Sequence, residues 1–234
     1  MATVDALKGP KLMPASGKAP SSAVVLLHGY GSNGDDLIGL APFFARVLPD
    51  TVFYSPNAPQ AIEGGFMGGY QWFSLATYDP ELMRRDAKRM EETFRLFRQG
   101  AAASTAIVNT YMDQILAAHG LEDRKLALLG FSQGTMMALH VGLRRTKQIG
   151  GILGYSGALT GTDVLASEIK SKPPVALVHG DADAIIPHEA LAAAAKGLAD
   201  VGIKAETHTV RGLQHGIDGD AAQFGATFLH KAIG

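Results

Sequence analysis

The chain has 234 residues, 47% of them hydrophobic and 18% charged, with a formal net charge of −1 and no cysteine. One sizeable core fits that length, and nothing calls for two. The composition excludes disulfides, thiolate metal sites and a thiol nucleophile; it offers no basic cluster for nucleic acid and no apolar run near the roughly 18 residues of a membrane span. The first residues lack a basic stretch followed by an apolar one, so no secretory leader is expected and the cytoplasm is the expected compartment.

Residues 1–21 are polar and broken by Pro10, Pro14 and Pro20, which reads as a loosely held arm with room for a short edge strand. The single folded domain is expected over 22–234. It opens with Ala23-Val24-Val25-Leu26-Leu27, a continuous apolar run typical of a strand buried on both faces. A loop from His28 to Gly34 follows, and Leu37, Leu40, Phe44, Val47 and Leu48 then keep helical spacing over 35–48. Gly29, Gly31 and Gly34 match the dinucleotide-binding spacing, but the next strand, Thr51 to Tyr54, ends in Ser55-Pro56-Asn57-Ala58-Pro59 with no acid to hold a ribose. A nucleotide cofactor is therefore not expected, and the loop is read as backbone N–H groups facing a substrate.

Residues 60–119 read as a helical and loop insertion, a cap on the domain. Its first part sets glycines among large apolar side chains, including Phe66, Tyr70, Trp72 and Phe73. Two readings stand: a greasy wall that contacts substrate, or a loop whose aromatics plug the core. Residues 80–118 have helical character, heavily charged up to Arg98, with Gly100 placed to divide two helices; a solvated face accounts for the charge.

The run from Lys125 to Gly130 is β-prone, G-F-S-Q-G follows, and Met136 to Val141 can form a helix. Strand, sharp turn and helix in that order hold the central Ser132 in a strained conformation at a sheet edge, with the helix N-terminus aimed at it. Further strands are expected at 150–155, 175–178 and 204–210, and helices at 188–201 and 218–233. Strands alternating with helices imply an α/β fold, a mostly parallel sheet covered on both faces.

A serine hydroxyl needs a neutral imidazole to accept its proton, and that imidazole needs a carboxylate to orient it. Downstream of Ser132, His140, His188 and His230 fall in or at the start of helices, His208 falls in a strand, and His179 precedes the acid. His215 alone lies in a loop after a late strand. Asp183 is preferred to Asp181, which is better placed to bond the turn backbone, and Asp163 is a distant third. The oxyanion would be met by the backbone N–H groups of Gln133 and Tyr30. Since the imidazole must be neutral to act, activity is expected to fall on acidification.

With these residues assembled, L-L-H-G-Y-G, G-F-S-Q-G, H-G-D-A-D-x-x-I-P and G-L-Q-H-G-I together resemble the phospholipase/carboxylesterase family of α/β-hydrolases, which includes bacterial carboxylesterases and acyl-protein thioesterases. The resemblance covers residues 22–232. It implies the α/β-hydrolase fold, a Ser132–Asp183–His215 triad with Tyr30 and Gln133 at the oxyanion hole, no cofactor or metal, and a small-molecule or lipid-like acyl ester as partner. Its loop lining the acyl pocket is similar to Gln71-Trp72-Phe73-Ser74. This chain departs in its longer charged stretch over 80–100 and in having Gly216, where the thioesterases carry serine, after the histidine. The expected activity is hydrolysis of short- to medium-chain esters. A thioesterase or lysophospholipase with the same triad is the nearest rival, and a silent ligand-binding module is the rival of another class. A homodimer is left open.

Overall fold

Strand β2 (Ser22–Leu27) is buried at all of its positions because it runs through the middle of a sheet with helices against both faces. The computed structural model describes residues 4–62, 69–75 and 87–234, and these form a seven-stranded sheet and a two-stranded one. Around β2 the large sheet contains β1 (Lys11–Leu12), β3 (Thr51–Tyr54), β6 (Leu126–Phe131), β7 (Gly151–Tyr155), β8 (Val175–Gly180) and β9 (Glu206–Val210), in the order β1-β3-β2-β6-β7-β8-β9. Strand β1 runs antiparallel to β3, and the rest are parallel. The small sheet pairs β4 (Gln60–Ala61) with β5 (Tyr70–Gln71). This is the mostly parallel, two-face-covered sheet expected from the alternation of elements, and the α/β-hydrolase arrangement that the resemblance implies.

Alternate side chains of each strand serve different layers. Ala23, Val25 and Leu27 of β2, with Leu126 and Leu128 of β6, meet the helices α3 (Ala87–His119), α4 (Gln133–Arg144), α5 (Thr162–Glu168) and α6 (Glu189–Asp200). Val24, Leu26, Ala127 and Leu129 meet α1 (Gly34–Leu37), α2 (Ala41–Phe44) and α7 (Gly219–Ile233) on the other face. Among the described residues, no helix is long and apolar enough to cross a membrane.

Two expectations are corrected. Residues 35–48 are not one helix: α1 gives way to a 3-10 turn at Ile38–Leu40 and then to α2. Pro42 has no N–H to donate back to Ile38, so the ladder breaks and restarts with the proline in the first turn, where its missing donor costs nothing. Gly100 does not divide two helices, because α3 runs unbroken from Ala87 to His119. A Cβ at Gly100 would sit 2.5 Å from that of Phe73, so the glycine lets the loop at 72–73 lie directly on the helix.

Strand order reverses between β2 and β6. From β2 the chain moves outward to β3, whereas β6 to β9 build in the opposite direction. The loops after the two strands consequently diverge and leave a crevice at their C-terminal ends, which is where open α/β sheets bind ligands. One side is His28–Gly34, and the other is the turn that carries Ser132.

Candidate active site

Ser132 has φ 54° and ψ −115°, a conformation L-residues rarely adopt, between the end of β6 and the first turn of α4. Both flanking glycines are required there. A Cβ at Gly130 would overlap the backbone of Gly134, and one at Gly134 would overlap the carbonyl of Leu27 at the end of β2. The Ser132 N–H donates to the Tyr155 carbonyl (2.9 Å), and Thr135 Oγ1 lies 2.8 Å from the carbonyl oxygens of both Gly130 and Tyr155. The strain is thus held in place by the neighbouring strand and the helix.

Gln133 begins α4, so its N–H has no helical carbonyl one turn earlier and faces the crevice end of the helix. Its buried side chain does a second job: Oε1 accepts the Trp72 N–H (2.9 Å) and Nε2 donates to the Phe73 carbonyl (2.7 Å). The residue beside Ser132 is thereby clamped to the loop at 72–73. Replacing it with leucine, Gln133→Leu, strands one buried donor and one buried acceptor. We expect a loss on the order of 2–4 kcal/mol in denaturant unfolding and, as the turn loosens, roughly a tenfold fall in kcat for a nitrophenyl ester.

The facing loop is equally fixed. Ala58 N–H donates to His28 Nε2 (2.9 Å), so the proton is on Nδ1 and is given to the Gly29 carbonyl (2.7 Å). Burial pushes the His28 imidazole below its ordinary value, outweighing the hydrogen bond to Gly29, and the ring stays neutral. Trp72 Nε1 donates to the His28 carbonyl (2.9 Å), Gly31 N–H to that of Tyr70 (3.0 Å), and Tyr70 N–H to that of Ser32 (2.8 Å). Gly29, where a Cβ would be 3.4 Å from that of Ser132, brings the backbone entering Tyr30 beside the serine, while the Tyr30 side chain is 44% exposed.

The candidate acid and imidazole come from loops after β8 and β9. Asp183 lies in the turn after β8 with its side chain entirely buried, and its Oδ2 is 2.7 Å from Nδ1 of His215. Its Oδ1 accepts the N–H groups of Ile185 (2.8 Å) and Ile186 (2.9 Å). Burial alone would raise this carboxyl, but hydrogen bonds from His179, His215 and the Ile186 N–H outweigh it and hold the group well below the usual carboxylate range. Asp181 occupies a different place: its Oδ1 accepts the Gly212 N–H (2.6 Å), and with the Ala182 N–H to Leu213 carbonyl bond (3.0 Å) this fastens the His215 loop to β8. The His215 ring packs on Phe131, centroids 4.9 Å apart, next to the serine in sequence.

The four aromatic candidates separate. Trp72 and Phe73 are 0% and 2% exposed and pack into the core beside α3, which favours the second of the two readings, a loop whose aromatics plug the core. Tyr70 is half-buried and its ring is steeply inclined to that of His28, centroids 6.5 Å apart, and Phe66 lies outside the described residues. Sequence reasoning missed the exposed Ile185, 47% accessible in the Asp183 turn, and the clamp formed by Gln133. An isoleucine two residues beyond the acid was a readable signal. The clamp was not, since its partners are backbone groups far along the chain.

The chain is similar along nearly its whole length to known proteins. The solved structure of esterase PE8 is 37% identical and superposes with a TM-score of 0.85, over 97% of this chain and 99% of that one. Acyl-protein thioesterase 1 of Emericella nidulans is 26% identical over 97% of this chain and 96% of its own length. A carboxylesterase from Mesorhizobium loti shares the fold at 18% identity, with a TM-score of 0.74 over 98% of this chain and 97% of that one. The family model described as phospholipase/carboxylesterase matches residues 12–233. By that match, and on a sheet whose order reverses at the serine turn, the chain belongs to the phospholipase/carboxylesterase family of α/β-hydrolases.

Proposed function

We propose that this chain is a serine carboxylesterase that cleaves short- to medium-chain esters through an acyl-enzyme on Ser132. The observation that carries the reading is the 2.7 Å Asp183–His215 pair, fastened beside the strained turn that presents Ser132. As Ser132 Oγ bonds to the substrate carbonyl carbon, His215 takes the hydroxyl proton, and the buried carboxylate stabilises the imidazolium. The carbonyl oxygen becomes an oxyanion met by the N–H groups of Gln133 and Tyr30. Collapse breaks the bond to the leaving alcohol, which receives the proton from His215. Water then repeats the steps, giving its proton to His215 and releasing the acid and free Ser132. The reading of 60–119 as a cap insertion draws support from its described residues, where Tyr70 is tied to the 29–32 loop.

A thioester would be cleaved by the same steps, and the acyl-protein thioesterases among the relatives give that second reading its support. Tyr30 and Ile185 are exposed apolar groups beside the assigned oxyanion donor and the acid, which suits an acyl chain over a charged substrate. Each methylene they cover is worth about 0.8 kcal/mol, or roughly fourfold in kcat/KM. We expect kcat/KM for nitrophenyl esters to rise at about that rate from acetyl and to peak between butyryl and octanoyl, with matched thioesters slower. A peak at palmitoyl, or faster thioester turnover, moves the assignment to the thioesterase reading.

A further inference from the structure

Asp183 has a second histidine. His179, at the end of β8 and almost wholly buried, places Nε2 2.9 Å from the Ile186 carbonyl oxygen and 3.3 Å from Asp183 Oδ2, the same oxygen that His215 Nδ1 contacts at 2.7 Å. A carbonyl only accepts, so Nε2 must carry hydrogen, and that one N–H is shared between the turn and the carboxylate. The four-residue offset from His179 to Asp183 spans a tight turn, which folds the carboxylate back over the ring. The His188 ring stands nearly perpendicular to that of His179, centroids 5.9 Å apart, with its own Nε2 engaged by Thr209 Oγ1 (3.0 Å). Nothing in the reaction steps above uses this ring.

We propose that His179 is a positioning residue for the esterase reaction, acting through Asp183. Its N–H fixes the carboxylate rotamer so that Oδ2 stays in line with His215 Nδ1, and it withdraws part of the negative charge from that oxygen. This rests on the reading of Asp183 and His215 as acid and base. A carboxylate held from both sides cannot rotate to chase one donor, so the imidazole is presented to Ser132 in one orientation.

The test compares His179→Phe, which keeps a ring without the donor, with His179→Gln, whose amide can reach the same acceptors. For the phenylalanine variant kcat is expected to fall about 10–100-fold, as when outer-shell partners of ligating residues are lost, with KM unchanged; the glutamine variant is expected to recover most of it. The proton NMR resonance of His215 Nδ1–H should move downfield in the phenylalanine variant as charge concentrates on its partner. A purely structural role would lower stability without moving that resonance. Wild-type kcat with an unmoved resonance in a folded phenylalanine variant would overturn the proposal. Should that variant not fold, nitrogen-15 spectra of the wild-type protein decide: hydrogen on His179 Nε2 at neutral pH supports it, and hydrogen on Nδ1 alone sinks it. Ester turnover surviving Ser132→Ala would instead sink the triad, so the two failures are separable.

Discussion

Ser132→Ala is expected to lower kcat for a nitrophenyl ester by about 10⁴–10⁶-fold, the range found when a serine hydrolase loses its nucleophile and retains only binding and the oxyanion hole. The fold should be unaffected. The turn is held by backbone and neighbour contacts, namely the Ser132 N–H to Tyr155 bond, Thr135 Oγ1 between two carbonyls, and the Gly130–Gly134 approach, and alanine can keep all of them. Alanine also meets the same positive-φ penalty as serine, so stability should change by no more than about 0.5 kcal/mol. A fluorophosphonate should label the wild-type chain at Ser132 and leave the variant unlabelled. Adduct on another residue, or turnover within a hundredfold of wild type, would overturn the assignment of the nucleophile.

Backbone geometry presents Ser132, and much of that geometry is legible in the sequence. Continuous apolar runs gave β2, β6 and β8 because strands buried on both faces need no polar alternation. G-F-S-Q-G marked the elbow because close backbone contact on both sides leaves room only for glycine at 130 and 134. Asp183 and His215 were reachable because each follows a strand whose C-terminal end lies on one edge of a parallel sheet. Sheet order was not legible, yet the reversal between β2 and β6 is what opens the crevice.

What stayed hidden depended on partners distant in sequence. Gly100 looks like a helix break to any local rule, and its reason is the Cβ of Phe73 pressed against the helix. Trp72 and Phe73 have the composition of a pocket wall; only the Gln133 clamp and the Trp72 bond to His28 turn them inward. His179 was set aside as a base because it precedes the acid in the chain. That logic was sound for a base and silent about a donor on the far side of the same carboxylate.

Asp183→Asn is expected to cut kcat about 10⁴-fold with little change in KM, through the tautomer of His215. The backbone N–H groups of Ile185 and Ile186 both point at Oδ1, so the amide oxygen of asparagine must take that place and its NH₂ must replace Oδ2. There it faces His215 Nδ1 and the His179 Nε2–H, so donors meet donors. The clash is relieved when His215 moves its proton to Nε2, which removes the lone pair needed to accept from Ser132. Stability should follow pH in a related way. The folded-state carboxyl lies below its unfolded value of about 3.9, so its contribution is complete above that pH and is lost as pH falls toward the native value. Thermal midpoints of the wild type should therefore drop more steeply than those of Asp183→Asn from pH 4 downward, the two curves converging in acid. Parallel curves over that range, or an asparagine variant with wild-type kcat, would show that the carboxylate charge neither holds the loop nor orients the base.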